Sequence, residues 1–481
     1  FSPESGGTMT GGMVLRKGTM RNSGRKARPE YAGLSFRQKG NPTVSGSRPM
    51  ALTVAGVEVW SLFTGAGGLD LGLARAGFHP SLAVEIDPSC CTTLRRHFPG
   101  LDVWETDIRE VTAASLAERR HHAEVFLMVG GPPCQSFCPG GKRAALSDPR
   151  GNLIYTYLRL VDEIRPHVFV LENVAHLVTA ALRHRPIAQR PGKRWNLSVY
   201  HEDRTNGDAS APPMEPDELS GSAIRQVFGE MEALGYAVNF GIVDAADYGA
   251  AQHRFRFVML GVREGVPPPM PPATHGPFAS SGESWRTLRD AIFGLRDNPG
   301  PHSEYTADVA RYFALVPPGG NWRQLPKELQ PKALGDAAYA AGGGKTGFFR
   351  RLSWDAPSPT ITGRSNRKGS AVCHPDFVRP LSVRECARLQ GFPDDWVFEG
   401  SMSDQYMQIG NAVPVHLGEA IGRVILELTA PRQRRAAAHT PEVERLLDAA
   451  IARLRATAKN KRKRSDGQLL LLDDLSPGLE T

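Results

Sequence analysis

From Val57 onward, the first half of the chain alternates short apolar runs with stretches of helical spacing. Runs at Val57–Phe63, Ser81–Glu85, Val125–Val129, Val168–Leu171, Ala237–Val243 and Phe255–Val262 predict buried strands, with a further short strand at Asp102–Glu105. Helices are predicted at Leu69–Ala76, Pro88–His97, Asn152–Glu163 and Ser222–Leu234. Repeated strand–helix alternation predicts an α/β fold with a mostly parallel, doubly wound sheet.

The pattern breaks in several places. Arg183–Gly221 is polar and Pro-rich and is expected to form a surface insertion. From about 265 to 375 the alternation stops: Pro267–Pro272 interrupts it, Gly342–Gly344 loosens it, and short irregular segments follow. This block reads as a second, smaller domain. Regular structure returns with a helix at Ser382–Gln390, where Ser382 is the expected N-cap and Glu385 completes a capping box. Another helix is predicted from Val415 to Leu428, and a third from Pro441 to about Thr457, followed by the basic run Lys459–Arg464. The expected division is therefore a catalytic region over 51–264, the smaller domain over 265–375, a returning segment over 376–430 and a helical, basic tail over 431–481. Residues 1–50 lack apolar periodicity and are expected to be disordered. Phe1 is not an initiator and Met50 lies just ahead of the first strand, so translation is expected to start later, or the chain to be a fragment.

Charge sharpens this picture. The net charge is +8, but residues 1–50 hold nine basic and two acidic residues, and 431–481 hold eleven and seven. Residues 51–430 are thus net −3, while 265–375 alone contains thirteen basic and eight acidic residues. Tail charge often only solvates a chain end, so the basic middle block is the better candidate for phosphate contact. Six cysteines without a CxxC pair or zinc spacing predict no metal and a reducing, cytoplasmic compartment. No run of about eighteen apolar residues predicts a membrane span, and the N-terminus lacks a secretory pattern.

Four segments carry candidate chemistry. The first strand ends in Phe63-Thr64-Gly65-Ala66-Gly67-Gly68, where glycines allow close backbone approach to a ligand. Glu85 and Asp107 end the next two strands, where acids can hold a ribose and a base, although Asp87 or Asp107 could equally cap a helix. Gly130-Gly131-Pro132-Pro133-Cys134-Gln135 follows a strongly apolar strand, and its prolines stiffen the approach to a thiol. Leu171-Glu172-Asn173-Val174 offers a carboxyl leaving an apolar strand, a setting that raises a pKa and suits a proton donor. In Gln252-His253-Arg254-Phe255-Arg256 the alternating arginines share one face if the strand has begun, one of them near a substrate carbonyl. A structural ion pair is an equal reading for Arg254 alone.

These four segments, with Arg379-Pro-Leu-Ser-Val-Arg-Glu-Cys and Gln408-Ile-Gly-Asn-Ala-Val-Pro, resemble the ordered motifs of the DNA cytosine-5 methyltransferase family, prokaryotic modification type. The resemblance covers roughly 57–262 and 379–425 and implies a Rossmann-like methyltransferase sheet with an irregular target-recognition domain between them. It further implies S-adenosyl-L-methionine as cofactor and double-stranded DNA as substrate, with the target cytosine flipped out of the helix. Cys134 would add to C6 of cytosine, Glu172 would contact N3 and the exocyclic amine, and Arg256 would support the base and the Cys134 loop, with Arg254 also counted in the catalytic set. Phe63 would stack on adenine, Glu85 hold the ribose and Asp107 the adenine amine. Gly65, Gly67, Gly68 and Pro132 would line the cofactor, and Asn411 would close its side.

Arg364 and Arg367 are candidate base readers, with phosphate contact the equal alternative for each. Cys138 stands where the family more often has serine. The expected protein is a monomer near the nucleoid, with a cognate restriction endonuclease as a candidate partner. A tRNA methyltransferase of the same family is the first rival, and a catalytically inactive DNA-binding accessory protein the second.

Overall fold

The computed structural model describes residues 54, 56–133, 153–183, 214–336, 339, 348–364, 372–428 and 442–465. At its centre lies a seven-stranded sheet in the order β3-β2-β1-β4-β5-β8-β6. The strands are β1 (Glu58–Leu62), β2 (Leu82–Glu85), β3 (Asp102–Glu105), β4 (Val125–Gly130), β5 (Val168–Val174), β6 (Ala237–Asp244) and β8 (Phe255–Val262), with β7 (Gln252–His253) just before the last. Strands β3 to β5 are parallel to their neighbours, whereas β8 runs antiparallel between β5 and β6.

Alternation along each strand feeds two apolar layers. Val59, Val129, Val170, Val258 and Leu260 face one layer with Leu69, Leu73, Leu417 and Ile421. Trp60, Met128, Leu171, Phe257 and Met259 face the other with Tyr157, Leu160, Ile224 and Met231. Helices α1 (Gly68–Arg75), α2 (Pro88–His97), α3 (Leu153–Ile164) and α4 (Ser222–Ala233) match the predicted positions within one residue at every end. The sheet is therefore covered on both faces, as expected.

The helix Val415–Leu428 packs along α1 through glycines. A Cβ at Gly72 would lie 2.3 Å from the Val415 carbonyl, and one at Gly418 would lie 2.7 Å from the Leu69 carbonyl. Side chains there would force the helices apart, so this approach fixes the C-terminal segment against the glycine turn. Within 305–373, Tyr312, Phe313, Trp322, Leu325 and Phe349 form a cluster of their own.

Two expectations need correction. Residues 184–213 lie outside the described residues, but the expected surface insertion does not extend to Gly221. Met214, Glu218 and Ser220 are buried, and the Ser222 hydroxyl accepts from the Leu182 amide, so 214–221 belongs to the body. The tail helix is also longer than expected, running Val443–Ser465, and Leu447 and Ala450 are buried in the main core. Its apolar positions recur at helical spacing and find a core face to cover.

Asp70, in the first turn of α1, is fully buried, and neither carboxylate oxygen has a hydrogen-bond partner within normal geometry. Burial raises its pKa from 3.8 to about 6, outweighing the weak stabilisation that Ser61 gives the charged form. With the folded value above the unfolded one, its contribution to stability is complete below pH 3.8 and is lost as pH rises through about 6. Asp70→Asn is therefore expected to raise stability at pH 8, by at most about 3 kcal/mol, and to give no gain at pH 3.5. Denaturant melts at both pH values test this, and an equal gain at both would contradict it.

Candidate active site

Phe63, Glu85, Asp107, Pro132, Glu172 and Arg256 converge on the carboxyl edge of the sheet. Phe63 directly follows β1 with φ 56°, a strained left-handed conformation for an aromatic residue, and the turn Thr64–Gly67 comes next. Glu85 braces this turn. One of its oxygens accepts the Gly65 amide at 2.7 Å, and the other accepts the Ile86 and Asp87 amides at 2.9 Å. The oxygen that accepts the Gly65 amide keeps a second lone pair that can still take a hydroxyl. Gly68 faces the returning chain, since a Cβ there would meet the Val413 carbonyl at 2.3 Å. That brings the Asn411-Ala412-Val413 segment to the turn, with Asn411 exposed.

Beside the turn lies a cavity of about 240 Å³ lined by Phe63, Val84, Glu85, Asp107, Ile108 and Pro133, among others. Apolar walls with two acids at the edge suit a flat heterocycle joined to a polyhydroxyl group. Asp107 also caps a short helical turn through the Arg109 amide and pairs with the Arg109 guanidinium. Arg109 holds the Asp107 pKa below its usual value, so the carboxylate stays ionised as an acceptor. The capping reading was correct too: Asp87 caps α2 through Ser89 and Cys90.

Pro132 and Pro133 begin the next loop at the end of β4. Asn173 donates to the Pro132 carbonyl at 2.9 Å and so fixes the root of the loop to β5. Cys134, Gln135 and Cys138 lie outside the described residues. Glu172 is 7% exposed, and its Oε2 would stand 3.2 Å from a Cβ at Gly131. In the antiparallel register Val174 faces Arg256, which sets Arg256 diagonally from Glu172. The Arg256 Nε lies 2.8 Å from Glu172 Oε1. Burial raises the Glu172 pKa despite the opposing charges of Arg256 and Arg254.

The two arginines diverge, contrary to expectation, because β8 begins only at Phe255. Arg254 is 3% exposed and donates to the carbonyls of Ile361, at 2.9 Å, and Gly410, at 2.8 Å. It thereby ties the sheet to two distant segments. Arg254→Met leaves both acceptors buried and unpaired, at roughly 1–3 kcal/mol each. A loss of about 3 kcal/mol in unfolding free energy is expected. An unchanged denaturation midpoint would contradict this.

Gln252 belongs to the same junction. It is fully buried, donates to Leu389 O and Gln390 Oε1, and accepts from the Ile361 amide. Ser358–Pro359 pairs with β7 and Thr360 donates to the His253 carbonyl, so the segment leading to Arg364 starts beside the site. Arg367 lies outside the described residues.

The profile of the family described as C-5 cytosine-specific DNA methylase matches residues 57–186 and 217–427. The Type II methyltransferase M.Eco47II of Escherichia coli is 37% identical over 77% of this chain and 79% of its own. M.Sau96I of Staphylococcus aureus, also a Type II methyltransferase, is 36% identical over 77% of this chain and 75% of its own. A crystal structure of a prophage-encoded DNA modification methyltransferase from E. coli shares the fold. It has a TM-score of 0.52 and 22% identity over 78% of this chain and 99% of its own.

Proposed function

The chain belongs to the C-5 cytosine-specific DNA methylase family, and we propose that it methylates C5 of a cytosine flipped out of one short duplex sequence, through a covalent bond from Cys134 to C6. The observation that carries this reading is the position of Glu172. It is a buried carboxyl with a raised pKa, next to Gly131 at the root of the Pro-Pro-Cys loop and paired with Arg256. Pro133 lines the neighbouring cavity, so the thiol's loop and the cavity adjoin.

S-adenosylmethionine fits that cavity by its chemistry, with Phe63 and Ile108 as apolar walls and Glu85 and Asp107 as acceptors for hydroxyls and an amine. When bound, it supplies the electrophilic methyl group. The Cys134 thiolate adds to C6 while Glu172 gives or shares a proton at N3, which makes C5 enamine-like and nucleophilic. After methyl transfer a base removes the C5 proton, and the C6–sulfur bond breaks to release the thiolate and restore the ring. Arg256 holds Glu172, and Asn173 holds the loop root. Residues 265–375 are the proposed reader of sequence, with Arg364 and Arg367 as candidates, and the catalytic region is proposed to span 51–264.

Glu85→Ala is expected to weaken cofactor binding roughly 10- to 100-fold, the equivalent of one lost charge-assisted hydrogen bond, with duplex binding unchanged. Calorimetry on the folded variant reads this directly, and unchanged cofactor affinity would contradict the assignment. Bisulfite sequencing of DNA from a host expressing the chain tests the function itself. Protection at one recurring short sequence is expected. Complete conversion of the DNA, with 5-methylcytosine appearing in tRNA, would favour the RNA-modifying relative instead.

A further inference from the structure

We propose that Arg350 reads a guanine of the target sequence, presenting one edge of its guanidinium to O6 and N7 in the major groove. The proposal rests on the reading of duplex DNA as substrate and of residues 265–375 as the block that reads it. It gives that block a base contact beyond Arg364 and Arg367.

The chain fixes this residue from both sides. Phe349, just before it, is buried in the cluster of Tyr312, Phe313 and Trp322. Its φ is 49°, in the left-handed region that an aromatic residue rarely adopts. Strain of this kind persists only where the surrounding structure enforces it, and it gathers at segments that touch ligands. Phe63, beside the cavity, shares the same backbone signature. Arg350 and Arg351 then form β9, parallel to Val372–Cys373, with Arg350 opposite Val372. Alternation along β9 puts the Arg350 side chain on the face opposite Arg351.

Other arginines of the block already have partners. Arg351 donates to the carbonyls of Pro375, at 3.0 Å, Val316, at 3.1 Å, and Asp376, at 3.2 Å. Arg289 pairs with Asp355, Arg296 with Asp376 and Arg311 with Asp308. Arg350 is half-buried, and its Nε is enclosed without a hydrogen-bond acceptor. Burial lowers its pKa from the ordinary value, and no carboxylate stands near enough to oppose this. A guanidinium that has shed water without gaining an acceptor is costly in the free protein. A purely structural arginine finds acceptors within the fold, as Arg351 does. Arg350 has the character of a group held ready for an acceptor that arrives with the substrate.

Geometry selects the base rather than the backbone of the DNA. An arginine that contacts phosphate needs only charge and reach, and gains nothing from an enclosed Nε. Enclosure fixes the plane of the guanidinium, and guanine offers two acceptors, O6 and N7, matched to one edge of that plane. Position agrees with this. Downstream of β9 the chain docks at Ser358–Pro359 against β7, next to Arg254. The interval from Arg350 to Ser358 spans at most about 28 Å, roughly eight base-pair steps of duplex. Arg350 therefore stays within reach of bases flanking the target cytosine.

The test compares the full chain with its Arg350→Met and Arg350→Gln variants, on the methylated duplex and on duplexes altered at one guanine at a time. Both variants are expected to lose roughly 5- to 150-fold in kcat/KM on the original duplex. Both should also tolerate replacement of one particular guanine that the wild type requires. 7-Deazaguanine at that position lacks the N7 acceptor, so it should slow the wild type and leave Arg350→Met unaffected. Arg350→Met removes a cation without a partner, so its denaturation midpoint should be unchanged or higher. A lower midpoint with activity reduced on every duplex would make the residue structural and overturn the proposal. A uniform loss across sequences, with the slope of log K against log salt shallower by about 0.9, would make it a phosphate contact and overturn it too. So would variants that keep the wild-type rate and sequence requirement. A wild-type chain that methylates no duplex would instead sink the substrate reading, an outcome distinct from variants that keep the wild-type target.

Discussion

Glu172→Gln is expected to reduce kcat by roughly 10²- to 10⁴-fold, the usual span for losing a positioned general acid, with duplex affinity nearly unchanged. Glutamine keeps the shape of the side chain and can still hydrogen-bond, but it cannot deliver a proton to N3. Burial raises the Glu172 pKa, so its acid form persists to higher pH than in an ordinary carboxyl. Wild-type kcat should therefore fall as pH rises through that elevated value and the proton is lost. The glutamine variant should lack that limb of the profile. Single-turnover rates across pH, with DNA and cofactor saturating, separate the chemical step from binding. A Glu172→Gln enzyme within tenfold of wild type would remove this residue from the proton-transfer step.

Much of this site could be read from the chain itself, because each element announces its end. Strand β8 matches its predicted limits, since Phe255–Val262 is apolar but for Arg256 and follows the polar pair His253-Arg254. Ser382 caps its helix with Glu385 as the capping box requires, each side chain bonded to the other's amide. Glu85 ends β2, Asp107 stands two residues past β3, and Glu172 stands near the end of β5, each close to the carboxyl edge where the alternation placed it. What periodicity cannot encode is the order of strands in the sheet. Nothing in Ala237–Asp244 or Phe255–Val262 says that the later strand inserts between β5 and β6, yet that pairing creates the Glu172–Arg256 contact.

Long-range partners were equally hidden. Arg254 finds its acceptors 107 and 156 residues away, so its role in joining segments had no local signature. The apolar stripe of the C-terminal helix was visible, but its docking depends on Gly221 and Asp247, which only the fold brings near. Arg109 was overlooked because its pairing with Asp107 across two residues looks like an ordinary surface pair. Its importance comes from the cavity beside it.

Cys134→Ser is expected to abolish methylation to the limit of detection. A hydroxyl stays protonated near neutral pH and adds to C6 far more slowly than a thiolate. Asn173 and Glu172, which fix and face the root of its loop, are untouched by this change, so the variant should still fold. It should also bind duplex DNA, because affinity comes largely from phosphate contacts. Loss of the proposed nucleophile would thus separate chemistry from binding more cleanly than any other substitution.

The most direct measurement of the central claim is covalent capture. A duplex with 5-fluorocytosine at the target is incubated with the protein and S-adenosylmethionine, then resolved under denaturing conditions. Once C5 is methylated, fluorine occupies the position from which a proton would leave. Elimination is blocked and the sulfur–C6 bond persists. The account predicts a protein–DNA adduct with the wild-type chain, mapped by peptide analysis to Cys134, and none with Cys134→Ser. An adduct formed equally by Cys134→Ser would make another residue the nucleophile, Cys138 first, and binding without any adduct in the wild type would contradict the covalent mechanism altogether.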